Sequence, residues 1–173
     1  MRSQRRTDRP PERGPDVVIG EIISSLNALA RAQGEALTAV GVGCVGPLDL
    51  PSGAIMNPPN FPGWSYVPLR HQLEKALGVP VRMENDANAA ALAEYRLGAG
   101  RGAEIMVYTT ISTGIGGGIV VGGKLLHGVG GGAGEFGHQT IQADGPRCGC
   151  GNRGCLEALA SGTAIVAAAK RAI

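Results

Sequence analysis

The sequence predicts an α/β fold, because segments with helical spacing alternate with short apolar segments that resemble buried strands. Its 173 residues include 43% hydrophobic side chains, which is enough to bury a substantial core. A loop near the end of the chain, Gly134 to Glu157, adds a third observation, since it holds three of the four cysteines and a histidine. We therefore expect an α/β protein with one metal-stabilised loop.

Composition excludes several classes of protein. Lysine and arginine total 16 against 14 acidic residues, so the net charge of +2 does not demand a nucleic acid partner. No apolar run is long enough to span a membrane, and the arginine-rich start is not followed by the hydrophobic segment of a secretion signal. Thiols arranged for a metal suit a reducing compartment, so we expect the protein in the cytoplasm.

The first 15 residues differ from the rest of the chain. They contain five arginines and three prolines but almost no apolar side chain, so residues 1–15 are expected to form a disordered basic tail. A basic arm that touches DNA is one interpretation. A solvated tail or a wrongly chosen start codon is favoured, because no helix-turn-helix pattern follows.

Two helix and strand pairs follow the tail. Apolar residues recur with helical spacing from Val17 to about Gln33, and Leu37 to Val45 has the character of a buried strand. Gly46 to Trp64 is rich in proline and glycine and is predicted to be a loop. Pro68 opens a second helix that ends at Gly78, and Val79 to Met83 is predicted to be a short strand.

Three polar residues lie between the end of that strand and the start of an alanine-rich helix: Glu84, Asn85 and Asp86. This helix is predicted to stop at Gly98. The carboxyl ends of strands are where α/β folds place their ligands. An aspartate in this position can also be a simple helix cap. Spacing alone leaves both roles of Asp86 open.

A glycine-rich hairpin is predicted next. Glu104 to Ile111 has the character of a strand, Ser112, Thr113 and Gly114 form a turn, and the run IGGGIVV forms the second strand. Exposed backbone N–H groups in such a turn can bind phosphate, although most glycine-rich hairpins bind nothing. Leu156 to Ile173 is alanine-rich and is predicted to be helical.

Four residues of the loop have the spacing of zinc ligands: His138, Cys148, Cys150 and Cys155. A disulfide is the alternative, but Cys148 and Cys150 are too close in sequence to pair easily, and Cys44 lies far away in an apolar run. With four protein donors the site would be closed and structural. Two carboxylates beside these ligands, Glu135 and Glu157, could then be directed at a polar ligand.

Four motifs in order, ENDANAAALAE, STGIGGGIV, GEFGH and CGCGNRGCLE, together with NPPNFPGW, resemble the ROK family of bacterial sugar kinases, repressors and open reading frames. The pattern is most similar to the glucokinases of that family. The resemblance implies the actin-like, ribonuclease-H-like ATPase fold, with two α/β lobes around a cleft. It divides this chain into part of an N-terminal lobe, 16–104, and part of a C-terminal lobe, 105–173.

The resemblance also implies roles for individual residues. Asp86 would be the general base that accepts the proton of the attacking 6-hydroxyl of a hexose, with ATP and magnesium as co-substrate. Thr113 and Gly114 would contact the nucleotide phosphates, and Ser112 stands where the family often has glycine. The residues that would bind the sugar are Asn85, Asp86, Glu135, His138 and Glu157. His138 would also bind zinc through its other ring nitrogen.

Two segments of the family pattern are missing from the sequence: a DxGGT phosphate loop and the distal part of the large lobe. The chain therefore resembles an internal piece of the family fold. A sugar-sensing transcriptional regulator and a truncated, inactive sugar-binding fragment remain as alternatives to a kinase. Uncovered sheet edges and apolar faces lead us to expect a homo-oligomer.

Overall fold

A computed structural model describes residues 13–58, 61 and 63–172 of the chain. The chain divides into two compact units, Met1–Asn85 and Asp86–Ile173, which are described separately below. The predicted disordered tail lies outside the described residues as far as residue 12. Its last residue, Pro15, is already the first residue of a helix.

The first unit combines two helices with short strands. Its elements in chain order are α1 (Pro15–Gln33), β1 (Val40–Cys44), β2 (Leu48–Asp49), β3 (Ala54–Ile55), α2 (Leu69–Leu77) and β4 (Val81–Asn85). Strands β1 and β4 pair in parallel, from Val40 opposite Val81 to Cys44 opposite Asn85. Both helices end at a glycine in the left-handed conformation, as their sequences predicted.

The core of the first unit lies where α1 and α2 pack together with the strands. Ile19, Leu73 and Val81 are buried there, and the Trp64 ring meets the Phe61 ring edge to face with centroids 5.4 Å apart. Cys44 packs half-buried against this core, so it is one of the partly buried apolar side chains of the unit.

The prediction that Gly46 to Trp64 is a loop was wrong in part, because β2 and β3 pair as a short antiparallel hairpin. The Arg70 side chain donates hydrogen bonds to the carbonyl oxygens of Leu50 and Pro51 and so stabilises the hairpin turn. That contact comes from helix α2, about twenty residues further along the chain. The proline and glycine content of the segment could not predict this contact.

The second unit places two helical regions around an antiparallel sheet. Its elements in chain order are α3 (Asp86–Leu97), β5 (Ile105–Ile111), β6 (Ile115–Val121), β7 (Lys124–Leu125), α4 (Leu156–Ala160) and α5 (Gly162–Ala172). The strand order is β5-β6-β7, with Ile111 opposite Ile115 at the first turn. The hairpin predicted from the sequence is therefore present.

Helix α3 lies against one face of this sheet because β6 has glycines there. A methyl group on Gly116 would approach the Ala87 side chain to 3.2 Å, and one on Gly118 would meet Ala91 at 2.7 Å. Phe136 covers Gly117 on the opposite face. Since α3 packs on β5 and β6, the boundary between the two compact units lies before Asp86, whereas the predicted lobe boundary lies at 104/105. The assignment of residues to the lobes of a complete kinase stays a prediction.

The prediction of one continuous helix from Leu156 to Ile173 was wrong. Ser161 is extended, with φ −69° and ψ 163°, and it separates α4 from α5. The Ser161 hydroxyl oxygen accepts a hydrogen bond from the Ala164 N–H and thereby caps α5. The N–H of Gly162 donates to the Ser112 carbonyl at 2.8 Å. This contact with the β5–β6 turn therefore determines where the helix is interrupted between α4 and α5.

Candidate functional site

The loop from Gly134 to Glu157 folds back on itself through backbone hydrogen bonds. The Cys148 N–H donates to the Asn152 carbonyl at 2.8 Å, and the Gly154 N–H donates to the Pro146 carbonyl at 2.8 Å. Gly154 has φ +65° and lies so close to the Gln142 carbonyl that no side chain would fit. This backbone conformation brings the three cysteines of the loop close together.

Four residues that could together bind a metal ion lie close to one another, His138, Cys148, Cys150 and Cys155, and they are called the metal cluster below. Their donor atoms all lie within 4.8 Å of one another. The Cys150 and Cys155 sulfurs are 3.7 Å apart, and the Cys148 sulfur lies 3.5 Å from His138 Nδ1. Two sulfurs bound to one tetrahedral zinc ion are separated by about 3.8 Å, and a sulfur and a nitrogen by about 3.6 Å. The four donors therefore fit zinc.

The disulfide alternative does not fit this geometry. A disulfide requires a sulfur–sulfur distance of about 2.0 Å, whereas the Cys150 and Cys155 sulfurs are 3.7 Å apart, and none of the four cysteines forms a disulfide. Burial raises the pKa of the Cys155 thiol to about 11, while a hydrogen bond from the Asn152 backbone lowers the pKa of Cys150. A metal that binds here has to displace the Cys155 proton.

His138 faces two different partners with its two ring nitrogens. Nδ1 lies in the metal cluster, and Nε2 lies 3.7 Å from the Glu135 carboxylate. Both residues belong to a short 3-10 turn region that packs on β6, where Gly137 meets the Ile115 carbonyl. The Glu135 side chain is 54% exposed and the His138 side chain 32% exposed, so this pair is accessible from solvent on the side away from the cysteines.

Glu157 connects three parts of the unit. It lies in the first turn of α4, two residues after Cys155. Its Oε2 atom accepts a hydrogen bond from the Ile115 N–H at 2.8 Å, and its Oε1 atom lies 4.0 Å from the Cys148 sulfur. A side chain on Gly114 would collide with Oε2 at 2.4 Å. The sequence indicated Glu157 as a ligand residue but not these contacts.

The turn of the β5–β6 hairpin is held by the start of α5. The Ser112 carbonyl accepts from the Gly162 N–H, and the Thr113 carbonyl accepts from the Thr163 hydroxyl, both at 2.8 Å. Within the described part of the chain, the N–H groups of Thr113 and Gly114 donate no hydrogen bond. An open depression of about 430 Å³ adjoins the turn, lined by Ser112, Thr113, Gly162, Thr163 and Val166. Sequence reasoning missed Gly162 and Thr163, although the SGT triplet after the helix was a signal.

Asn85 and Asp86 lie at the junction of the two units, as the last residue of β4 and the first of α3. The Asp86 Oδ1 atom accepts a hydrogen bond from the Ala87 N–H at 2.9 Å. This contact satisfies one N–H of the first helical turn and uses one of the two carboxylate oxygens. The capping contribution of Asp86 is thus visible, and its role as a base stays a prediction.

The chain has part of the actin-like ATPase fold, because it superimposes on about half the length of solved sugar kinases with that architecture. The profile of the ROK family matches residues 1–172. The chain therefore belongs to the ROK family, and the resemblance seen in its four motifs is confirmed.

Two curated relatives illustrate the match. The glucokinase of Thermotoga maritima is 47% identical over 154 residues, which cover 89% of this chain and 48% of the relative. The N-acetylmannosamine kinase of Escherichia coli strain SE11 is 42% identical over 171 residues, covering 98% of this chain and 57% of the relative. The chain thus spans about half the length of the curated relatives it matches.

Three solved structures cover the same part of the fold. The ROK hexokinase of Thermus thermophilus has a TM-score of 0.83 at 48% identity, covering 95% of this chain and 55% of that one. A ROK glucokinase of Streptomyces griseus in complex with glucose and AMPPNP gives 0.73 at 43% identity, with 88% and 49% covered. A ROK transcriptional regulator, a homologue of the E. coli MLC protein, gives 0.76 at 30% identity, with 91% and 40% covered.

No helix in the described part of the chain is both long and apolar enough to cross a membrane.

Proposed function

We propose that this chain carries the sugar site and the metal site of an ATP- and magnesium-dependent hexose kinase that phosphorylates glucose at its 6-hydroxyl. The observation that carries the proposal is the position of His138, whose Nδ1 lies in the metal cluster while Nε2 faces Glu135. Binding at Nδ1 leaves Nε2 as the nitrogen that can interact with a sugar hydroxyl. The glucokinase and hexokinase names of the relatives support the choice of substrate.

Four side chains would bind the sugar in this proposal in addition to Asp86. Glu135 and His138 lie within 3.7 Å of each other on the accessible side of the metal cluster, and Glu157 reaches the same cluster from α4. Asn85 precedes Asp86 in the chain and would contribute an amide. Carboxylates and amides select sugars strongly, because a ligand that lacks a matching hydroxyl leaves a polar group unpaired.

Asp86 would act as the general base. A carboxylate within hydrogen-bond reach of the 6-hydroxyl orients that hydroxyl and accepts its proton as the oxygen attacks the γ-phosphate. The start of α3 suits this role, because the first turn of a helix carries partial positive charge and attracts a carboxylate. One of its oxygens is bonded to the Ala87 N–H, which would orient the other oxygen for the substrate.

The nucleotide phosphates would bind at the β5–β6 turn. Thr113 and Gly114 offer two backbone N–H groups beside an open depression, and the bonds from Gly162 and Thr163 hold the two adjacent carbonyl groups toward α5. Backbone N–H groups arranged this way form an anion site. Magnesium that accompanies ATP would neutralise charge on the phosphates.

Zinc would have a structural role in this chain. The metal cluster supplies four donors, so a tetrahedral ion has no vacant position for water or substrate. What zinc supplies when bound is a cross-link between the 3-10 turn of His138 and the start of α4. Zinc would take no part in the phosphoryl transfer, in which Asp86 would act as the base and Thr113 and Gly114 would contact the phosphates.

The test is glucose-dependent release of ADP by this chain, with mannose, fructose and N-acetylmannosamine compared in parallel. Glucose should be the best substrate, and Asp86→Asn should lower kcat by about 100- to 10,000-fold because it removes the base. Asp16→Asn is the matched control, since Asp16 also lies in the first turn of a helix but in α1. Equal activity of Asp86→Asn and the parent would refute the mechanism.

A sugar-sensing regulator is the second candidate, and the match to a ROK transcriptional regulator favours it. In that case the sugar and metal sites would serve binding alone. Glucose that raises the melting temperature without any ADP release would support the regulator or an inactive sugar-binding fragment. Specific DNA binding that glucose reverses would separate the regulator from the fragment.

We also propose a cytoplasmic homo-oligomer. Reduced thiols in the metal cluster and ATP as co-substrate both suit the cytoplasm. Strand β5 is at the edge of its sheet, and three apolar side chains on its outer face are exposed, Ile105 at 62%, Val107 at 58% and Ile111 at 66%. The strand carries no charge, and an uncharged apolar edge strand readily pairs with another copy.

A further inference from the structure

Glu157 holds together two sites that lie far apart in sequence. It accepts the Ile115 N–H at 2.8 Å across 42 residues of chain, and Ile115 is 2% exposed at the first position of β6. The other carboxylate oxygen lies 4.0 Å from the sulfur of Cys148. One side chain therefore spans the distance between the metal cluster and the hairpin turn.

Within the described residues, every hydrogen bond that this turn receives from outside the hairpin comes from the segment that follows Cys155. Glu157 binds the Ile115 N–H, Gly162 donates to the Ser112 carbonyl, and the Thr163 hydroxyl donates to the Thr113 carbonyl. Cys155 is fully buried and lies two residues before Glu157. The position of Cys155 thus determines where α4 begins and where the Glu157 carboxylate lies.

The hydrogen bond between Glu157 and the Ile115 N–H depends on the absence of a side chain at Gly114. A Cβ atom at Gly114 would lie 2.4 Å from Glu157 Oε2 and 3.3 Å from its Cδ. Because Glu157 is a flexible side chain, it could rotate away from such a substituent, but it would then lose its bond to Ile115. Glycine at this position is what allows the carboxylate to reach the backbone of β6.

We propose that Glu157 is a positioning residue through which occupancy of the metal cluster sets the conformation of the phosphate hairpin. With zinc bound, Cys148 and Cys155 are held in place, and the Glu157 carboxylate stays bonded to the Ile115 N–H. Without zinc, Cys155 no longer holds the start of α4 in place, so the Glu157 carboxylate loses its hydrogen bond to the Ile115 N–H. The Thr113–Gly114 turn then becomes mobile. The proposal rests on the metal site proposed above and adds a route from that site to the nucleotide phosphates.

The experiment follows hydrogen exchange of the Ile115 amide by NMR in zinc-loaded and chelator-treated protein. In zinc-loaded parent protein this amide should be protected, and removal of zinc should accelerate its exchange by about tenfold or more, because its acceptor is charged. Glu157→Ala should show the fast rate even with zinc bound, and Gly114→Ala should do the same by displacing the carboxylate. The amide of Ala91, a fully buried residue of helix α3, reports whether the whole unit unfolds.

Glu135→Gln is the matched control, because the Glu135 carboxylate lies beside His138 and, in the described residues, makes no hydrogen bond to the hairpin turn. This variant should retain the zinc dependence of Ile115 exchange. Zinc that binds stoichiometrically without changing the Ile115 rate would overturn the role of Glu157 and leave the metal site intact. A chain that binds no zinc would overturn both, and a slow rate in zinc-loaded Glu157→Ala would show that another group protects Ile115.

Discussion

Replacing Cys155 with serine removes one donor from the metal cluster. The Cys155 side chain is fully buried, and its sulfur lies 3.7 Å from that of Cys150, so no other side chain can take its place without moving the backbone. A structural zinc site contributes folding free energy directly, at about 10–16 kcal/mol for four donors. Loss of one donor should therefore weaken zinc binding by about 3 kcal/mol, or a factor of roughly 100 or more.

The effect should appear in the melting temperature. Free zinc at 1,000 times its Kd stabilises the folded state by about 4 kcal/mol. For a unit of 60 to 100 residues, each kcal/mol corresponds to roughly 4–8 °C. Chelation should thus lower the melting temperature of the parent protein by roughly 15 °C or more. In the Cys155→Ser variant the same free zinc is only about 10 times the weakened Kd, so this variant should melt at a lower temperature and chelation should lower that temperature by only about a third as much as in the parent.

The assay combines elemental analysis with thermal denaturation, with and without a chelator. The parent should release one zinc per chain. Cys44→Ser is the matched control, because Cys44 is a cysteine of the first unit that forms no disulfide and lies outside the metal cluster. It should keep both its zinc and its response to the chelator. An equal chelator response in Cys155→Ser and the parent, or a parent without metal, would refute the assignment of the cluster.

Two further predictions concern stability and assembly. Ser161→Ala removes the hydroxyl that accepts the Ala164 N–H, so the free energy of unfolding should fall by about 0.5–2 kcal/mol. Urea denaturation measures this, and an unchanged midpoint would mean that the hydroxyl does not cap α5. Val107→Lys places a charge on the exposed face of β5 and should lower the mass of the assembly in analytical ultracentrifugation. Thr109→Lys, on the same exposed strand, is expected to act similarly, and oligomers that persist in both variants would exclude β5 as the interface.

The metal cluster was readable from the sequence because its donors are close together in the chain. His138 to Cys155 span one loop, and three cysteines with short spacings leave few other geometries. Most helix ends were readable for a similar reason. Gly34 and Gly78 each stop a helix in the left-handed conformation, and a glycine after an apolar stripe predicts this locally.

The contacts that the sequence could not predict are those between distant segments. Glu157 accepts a hydrogen bond from the Ile115 amide, 42 residues away in the chain. No local sequence pattern predicts which backbone N–H a carboxylate will bind. The break at Ser161 also depends on a distant partner, since Gly162 binds the Ser112 carbonyl. Alanine-rich composition favoured one helix there, and the tertiary contact prevailed over that preference.

A crystal structure of the zinc-loaded chain with glucose and AMPPNP tests the central claim most directly. Our account predicts one zinc ion among His138, Cys148, Cys150 and Cys155, a glucose hydroxyl at His138 Nε2 and Glu135, and the 6-hydroxyl within hydrogen-bond distance of Asp86. Glucose bound elsewhere, or a 6-hydroxyl out of reach of the Asp86 carboxylate, would contradict it.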